Sequence, residues 1–403
     1  MGNIQINDEV INGEGKITKV THIYPQGKKP VYRVTFSDRT SVLCADNHLW
    51  QVYQYGKGTR KNNVLNTIQL IEGLKQGKKY RIPVPIIDCW KNTLDFNPYL
   101  MGVLLGDGNL TNLDSVKVSL FEKDIQEKVS NILNMEGYCL HTITEGQYRI
   151  NKIEKENCNQ YSQNLIGYNN KLKKYNLMGK KSIEKHIPKE FLFTSVENRI
   201  KLLQGLIDTD GYIDKNGLVY FYTSSEQLSK DFAFLVRSLG GTDTVVKKKG
   251  KYCSKNSDEY IECNNYYTHN LKFNNGFPFC SSKKHLSKVK QRQFGPIRRI
   301  QSIEYIGEQE CQCIVVESKD HTYITDNLTV THNSTVSTYS LCYELYKLMC
   351  LKNPNRFYLG ANETIWVLFF NLNLKLAEKT MWRQVPKSFT NESLVYGKRN
   401  CYR

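Results

Sequence analysis

No apolar run in these 403 residues approaches the roughly 20 that a helix needs to cross a bilayer, so no membrane-spanning helix is expected. None of the 12 cysteines forms a CxxC pair, and the closest couple is Cys311 with Cys313, which argues against a zinc finger. Without a secretory leader they do not read as a disulfide framework either. Acid is scarce: 39 Asp and Glu stand against 56 Lys and Arg, a formal charge of +17. Such an excess points to a polyanionic partner, nucleic acid first, with a merely solubilising surface as the alternative. Hydrophobic residues at 40% and charged residues at 24% are ordinary for globular domains, which excludes wholesale disorder. These absences predict a soluble, cytoplasmic protein in a reducing compartment, with no membrane partner and acting as a monomer.

What is present changes character along the chain. Up to about residue 90, short β-type runs ("KITKVTHIY", "PVYRVTF", "SVLCAD", "LWQVYQY") alternate with Gly, Pro and Asp turns. From Asn97 the period becomes helical in "NPYLMGVLLGDG", with Pro near the start and Gly-Asp-Gly at the end. A second segment of that type, "RIKLLQGLIDTDG", follows at 199–211. Lysines cluster between them and beyond, at Lys171, Lys173, Lys174, Lys180 and Lys181, at Lys247 to Lys249, and at Lys283, Lys284, Lys288 and Lys290. The β pattern resumes from Arg299 in "IQSIEYIG", "CQCIVVES" and "HTYITDNLTVT". Two β blocks separated by an insert predict one β domain interrupted by another.

Each repeated segment is an apolar helix that ends in a carboxylate and Gly: Asp107-Gly108 and Asp210-Gly211. A lone Asp-Gly merely stops a helix. Two copies on matching apolar helices, with Gly102 and Gly205 small enough for close packing, predict apposed carboxylates, hard oxygen ligands suited to Mg²⁺.

"LMGVLLGDG" and "LLQGLIDTDG" resemble the two signature helices of the LAGLIDADG (DOD-type) homing endonucleases, and the Lys-x-Ile-Pro at Lys185 to Pro188 resembles that family's approach to its second motif. The resemblance implies a pseudo-twofold αββαββα fold with β-ribbons in the DNA major groove, and a long asymmetric double-stranded DNA target. Asp107 and Asp210 carry over as the metal-binding catalytic residues, with Mg²⁺ as cofactor. Lys185 carries over as a residue that eases developing negative charge, a solvated lysine or a phosphate contact being the alternatives. The first motif departs from the pattern at Leu105, where the family often has an acid.

The junction "HTYITDNLTVTHNS" has its own chemistry. An Asn can attack its own backbone carbonyl, a neighbouring His can assist, and a hydroxyl beyond the break can accept an acyl group. His332-Asn333-Ser334 supplies all three parts. The stretch resembles the C-terminal blocks of inteins, and "SVLCADNHLWQV" resembles their N-terminal histidine block. By that resemblance Asn333 cyclises, needing no cofactor, with help from His332. His321 is the upstream block histidine, Ser334 is the acyl acceptor of a host extein joined in cis, and His48 activates the upstream peptide. Cys313 stands where many relatives couple the steps. Taken singly, His48 and His321 read as partly buried, hydrogen-bonded structural histidines; the combined pattern of blocks is what favours the splicing role. Ala45 replaces a Thr usual three residues before the block histidine, so one supporting hydrogen bond is expected to be absent or supplied by Asn47. The first splicing block, with its Cys or Ser nucleophile, is not in Met1-Gly2-Asn3, so the first step is expected to need an upstream segment.

Ser334-Thr335 followed by an amphipathic run has the form of the end of a P-loop. Residues 334–403 resemble the start of a phage terminase large-subunit ATPase. The expected fold is therefore mixed. An all-β Hint-type splicing domain (1–92 and 296–333) is interrupted by an α/β LAGLIDADG endonuclease (93–295) and followed by a partial P-loop α/β host segment (334–403). Two alternatives remain: a decayed endonuclease that only binds DNA, and a terminase ATPase fragment with an inert insertion.

Overall fold

The computed structural model describes residues 2–56, 59–153, 167–253, 260–291, 296 and 298–332. The first strands are β1 (Glu9–Ile11), β2 (Ile17–Phe36), β3 (Ser41–Ala45), β4 (Leu49–Gly56), β5 (Thr59–Asn66) and β6 (Tyr80–Ile82), with helix α1 (Thr67–Lys75) before the last. The middle of the chain then runs α2 (Pro98–Asp107), β7 (Gly108–Asn109), β8 (Lys117–Ser119), α3 (Lys123–Met135), β9 (Tyr138–Thr144) and β10 (Gln147–Lys152). Short helices α4 (Tyr168–Lys173) and α5 (Lys189–Leu192) lead to α6 (Val196–Asp210), β11 (Gly211–Ile213), β12 (Val219–Thr223), α7 (Glu226–Ser238), β13 (Thr242–Cys253), β14 (Tyr260–Lys272) and α8 (Lys283–Leu286). The chain closes on β15 (Arg298–Val316), β16 (Thr322–Thr325) and β17 (Thr329–His332).

Strands from both ends of the chain form one nine-stranded sheet, ordered β1-β2-β15-β6-β4-β17-β16, with β3 on β2 and β5 on β4. β1 lies against β16, so the sheet curls back toward itself. Its core is Val34, Phe36, Trp50, Val52, Leu70, Tyr80, Ile82 and Ile300. Two of the strands are longer than the sequence pattern predicts. "KITKVTHIY" and "PVYRVTF" join across Pro25, Gly27 and Pro30 into the 20 residues of β2. The register slips opposite this stretch, between Cys311 and Gln312, and Gly27 takes φ +65°. A bulge absorbs the extra residue and tolerates a proline that a regular ladder would reject. "IQSIEYIG" and "CQCIVVES" join likewise at a slip before Gly307, at φ +111°.

The middle of the chain is a structural repeat. Both α2–β10 and α6–β14 run helix, two strands, helix, two strands, and their four-stranded sheets share one order, β7-β8-β10-β9 and β11-β12-β14-β13. The halves meet at α2 and α6, where glycine allows backbone contact. A Cβ on Gly102 would lie 2.4 Å from Leu202 O, and one on Gly205 would lie 2.2 Å from Tyr99 O. Further along, Gly106 faces Thr209 and the Asp210 carboxyl, so the two helices run side by side and end together. Asn333, Ser334 and the P-loop-like segment lie outside the described residues. No helix among the described residues is long and apolar enough to cross a membrane.

Candidate active sites

Helix α2 starts because Asn97 Oδ1 accepts the amides of Tyr99 and Leu100 and Pro98 sits at the first helical position. Helix α6 starts on Ser195, whose Oγ accepts from Asn198 N. Both stop at glycine: a Cβ on Gly108 would lie 2.3 Å from Leu104 O, and one on Gly211 would lie 2.2 Å from Ile207 O. Asp107 and Asp210 are therefore the last residues of paired helices, at an end where backbone carbonyls already concentrate negative potential. Burial pushes the Asp210 carboxyl up to about 7, and the charge of Asp107 adds to it. Burial likewise raises Asp107.

Lys185 is 4% exposed, and its ammonium donates to the carbonyls of Leu105 (2.8 Å), Gly106 (2.9 Å) and Gly108 (2.8 Å). It thus caps carbonyls that the end of α2 leaves without a partner. Burial brings it down to about 8, against the opposing pull of Asp210 and Asp107. A pocket of about 290 Å³ opens beside Asp210 and Lys185, with Gly106, Tyr222 and Tyr266 in its wall.

One buried acid escaped the sequence reading. Asp208, 3% exposed, accepts from Tyr99 Oη (3.0 Å), Ser281 N (2.9 Å) and Ser282 N (3.0 Å), with His285 Nδ1 3.8 Å away. Burial alone would raise this carboxyl, but the nearby His285 ring and the hydrogen bonds from Ser281 and Ser282 hold it below the ordinary value. Its counterpart in the first helix is Leu105, so the two helix ends are chemically unlike. The signal was the mismatch between "LLGDG" and "IDTDG"; its partners, 73 to 109 residues away, had none.

The second cluster lies in the nine-stranded sheet. β17 sets His332 opposite Leu49, next to His48, and the rings of His321 and His332 are 6.4 Å apart. Burial, then His332, brings His48 down to about 4. His332 also falls to about 4, through burial and then His321, against the pull of Asp320. His48 Nε2 is buried without a hydrogen-bond partner among the described residues.

The turn carrying His48 is held by Thr67, fully buried, which donates to Ala45 O at 2.9 Å and accepts from Trp50 Nε1 at 3.3 Å. Thr67 thus brings a hydroxyl to the turn of His48 from 22 positions away, bonded to the Ala45 carbonyl. His321 adopts φ +50°, a left-handed conformation that costs a non-glycine residue energy. Asp320 braces it by accepting from Ser318 Oγ and Thr322 Oγ1, while Thr322 Oγ1 accepts from Gly13 N at 2.8 Å. Cys313 sits on β15 opposite Tyr24, its thiol raised by burial.

The profile of a LAGLIDADG-like domain matches residues 197–273. The replicative DNA helicase DnaB of Mycobacterium intracellulare is 24% identical over 365 residues, covering 83% of this chain and 56% of the relative. The chain thus spans about half the length of that curated relative. Among solved structures, mesophilic variants of the homing endonuclease I-DmoI give a TM-score of 0.27 at 12% identity, covering 43% of this chain and 87% of theirs. I-DmoI in complex with DNA and Mn gives 0.26 at 13%, covering 43% and 88%. Residues 197–273, which carry Asp210, are a LAGLIDADG-like domain.

Proposed function

We propose that residues 93–295 are a homing-type endonuclease that cuts both strands of a long, asymmetric DNA site, set within an intein splicing domain formed by 1–92 and 296–333. The observation that carries the nuclease reading is the side-by-side pairing of α2 and α6, which end together on Asp107 and Asp210, with Asp210 and buried Lys185 lining one pocket and the charge of Asp107 acting on both. Two carboxylates raised by burial, one of them also by the other's charge, fit a hard divalent cation, Mg²⁺. Asp107 and Asp210 would hold it, and the bound ion would stabilise charge on the attacking and leaving oxygens of a phosphodiester. Lys185 keeps a positive charge beside both acids, fixed by the carbonyls of α2, and so favours their ionised forms and offsets charge developing on the phosphate. The lysine clusters supply sequence-independent affinity for the DNA backbone.

In the splicing domain the side-chain amide of Asn333 attacks its own carbonyl. His332, neutral through burial, exchanges a proton at the breaking bond beside His321, and the Ser334 hydroxyl accepts the upstream acyl group. His48 activates the upstream peptide, and Cys313 couples the steps. The host segment, residues 334–403, reads as part of a P-loop ATPase, terminase-like by its sequence, whereas the relative is named a helicase, and no ATPase activity is expected from it alone.

The test is cleavage of a plasmid carrying the host-gene sequence joined across the insertion. Double-strand breaks that require Mg²⁺, and that Asp107→Asn and Asp210→Asn each abolish, are expected. Tight binding without cleavage by the wild type would replace this reading with a DNA-binding protein.

A further inference from the structure

The repeat allows its two sheets to be compared position by position. Gly108 pairs with Val118 and Val118 with Tyr148 in the first sheet; Gly211 pairs with Phe221 and Phe221 with His269 in the second. The inner faces are alike in being buried, with Val118, Tyr148 and Ile150 in one and Val219, Phe221 and Leu271 in the other. The outer faces are not alike. Where the first sheet carries Asn109, Lys117 and Ser119, the second carries Tyr212, Tyr220 and Tyr222. Opposite them, Gln147 and Arg149 in the first sheet correspond to Thr268 and Asn270 in the second.

The three tyrosines form a row. Tyr212 and Tyr220 stack at 6.4 Å and 30°, and Tyr220 and Tyr222 at 6.4 Å and 23°. Tyr212 is 49% and Tyr222 39% exposed, so this apolar row faces outward on a sheet whose other face is already covered. One end of it, Tyr222, lines the pocket of Asp210 and Lys185; at the other, Lys288 Nζ lies 5.6 Å from the Tyr212 ring. A surface continuous with that pocket, bordered by lysine on a chain of net charge +17, fits duplex DNA leaving the cleavage position.

Resting on the nuclease reading above, we propose that the two sheets recognise half-sites by different chemistry. The β7–β10 sheet reads purine edges through Lys117, Gln147 and Arg149, and the β11–β14 sheet reads thymine methyl groups through Tyr212, Tyr220 and Tyr222. The basis is what each base presents in the major groove. Guanine and adenine offer acceptors that Arg, Lys and Gln satisfy, whereas the thymine 5-methyl is the apolar group a hydrocarbon surface can recognise. Each tyrosine brings one hydroxyl to a broad apolar ring surface, so the row discriminates chiefly by methyl contact of the rings.

Replacing thymine by deoxyuracil removes that methyl and leaves the base-pairing edge unchanged, which provides the test. The full chain is used to select duplexes from a randomised library without divalent cation, and uracil is then placed in each half-site separately. Uracil in one half is expected to weaken binding about tenfold and in the other to change it little. Tyr220→Ala and Tyr222→Ala, with unchanged melting temperatures, should bind thymine and uracil duplexes alike, while Arg149→Ala should relax selection in the other half only. Equal binding of thymine and uracil duplexes by the wild type would overturn the proposal. So would uracil sensitivity that survives both tyrosine substitutions, or preference for single strands, which would make the row a stacking platform. A wild type that selects no duplex refutes the nuclease reading itself, a result distinct from selecting duplexes without methyl dependence.

Discussion

Asp210 and the buried histidines give the protein two pH dependences of opposite sign. An unfolded carboxylate titrates near 4, whereas burial and Asp107 hold Asp210 at about 7 in the fold. The folded chain therefore keeps a proton that the unfolded chain has lost. Its contribution to stability is complete below the unfolded value and disappears as pH rises through 7. In EDTA, the wild type should lose thermal stability between about pH 4 and 7 relative to Asp210→Asn, with little further loss above 7, and Mg²⁺ should restore it at pH 8. Parallel melting curves for the two proteins would show that Asp210 is not raised. His48 and His332 behave the other way, since both are held at about 4. Their contribution is full above pH 6.5, the unfolded value, and is lost as pH falls through 4. His48→Gln should flatten that acid limb, and an unaltered limb would remove burial of His48 as its cause. At this scale the repeat made it legible that the helices ending in Asp107 and Asp210 lie together, whereas the expectation for His332 with Asn333 falls on a residue outside the described ones. Asp208 and Thr67 were not legible, because each acts through hydrogen bonds to groups far along the chain whose position only the fold decides, whereas Asp320 acts on Ser318 and Thr322, two residues to either side.

Helices α2 and α6 tolerate no side chain where they cross. A Cβ at residue 205 would meet Tyr99 O at 2.2 Å and Val103 N at 2.8 Å, and neither backbone atom can move without its helix. Gly205→Ala should therefore force the helices apart and cost about 3 kcal/mol, in the range of overpacked cores. Because the same helices end on Asp107 and Asp210, DNA cleavage should fall more steeply than stability, measured as rate at a temperature where the variant remains folded. A variant with wild-type rate and melting temperature would mean that the helices do not meet at these glycines. The period change at Asn97 made α2 legible, and its cap is where the sequence placed it. The span of β2 was not legible, since Pro25, Gly27 and Pro30 read as turns until β15 supplies a partner long enough for a bulge.

The whole molecule turns on where the insertion joins the sheet. Ile82, which ends β6, pairs directly with Arg298, which begins β15, and paired strand residues are about 5 Å apart. A turn of a few residues would bridge that gap. The sheet should then fold without residues 83–297, because its nine strands and the core from Val34 to Ile300 lie outside them. Opposing this is the interface. Ile87 N donates to Ser238 O, and Arg199, fully buried, donates to Ile87 O. Arg237 lies 4.0 Å from Asp38, whose carboxylate also meets Arg298 at 3.0 Å, and Arg237 reaches Asn327 beside β17. Residues 86–92 thus hydrogen-bond to the insertion through Ile86 and Asn92 and to the sheet through Asp88, so no composition change marks a clean boundary there. Removing the insertion leaves Asp38 its stronger partner, Arg298, and the loss falls on the turn before His332. The shortened chain is expected to show β-type circular dichroism and one cooperative melt, and no DNA cleavage. It should still release its C-terminal segment after Asn333, read by mass spectrometry, more slowly than the full chain. Full-length Arg237→Ala should slow that release to a similar degree while leaving DNA cleavage intact, because Arg237 lies at the far end of α7 from the N-cap that holds Lys185. Release at the full rate by both proteins would mean that the insertion does not steady the 326–328 turn. An unfolded shortened chain would mean that the sheet depends on its insertion.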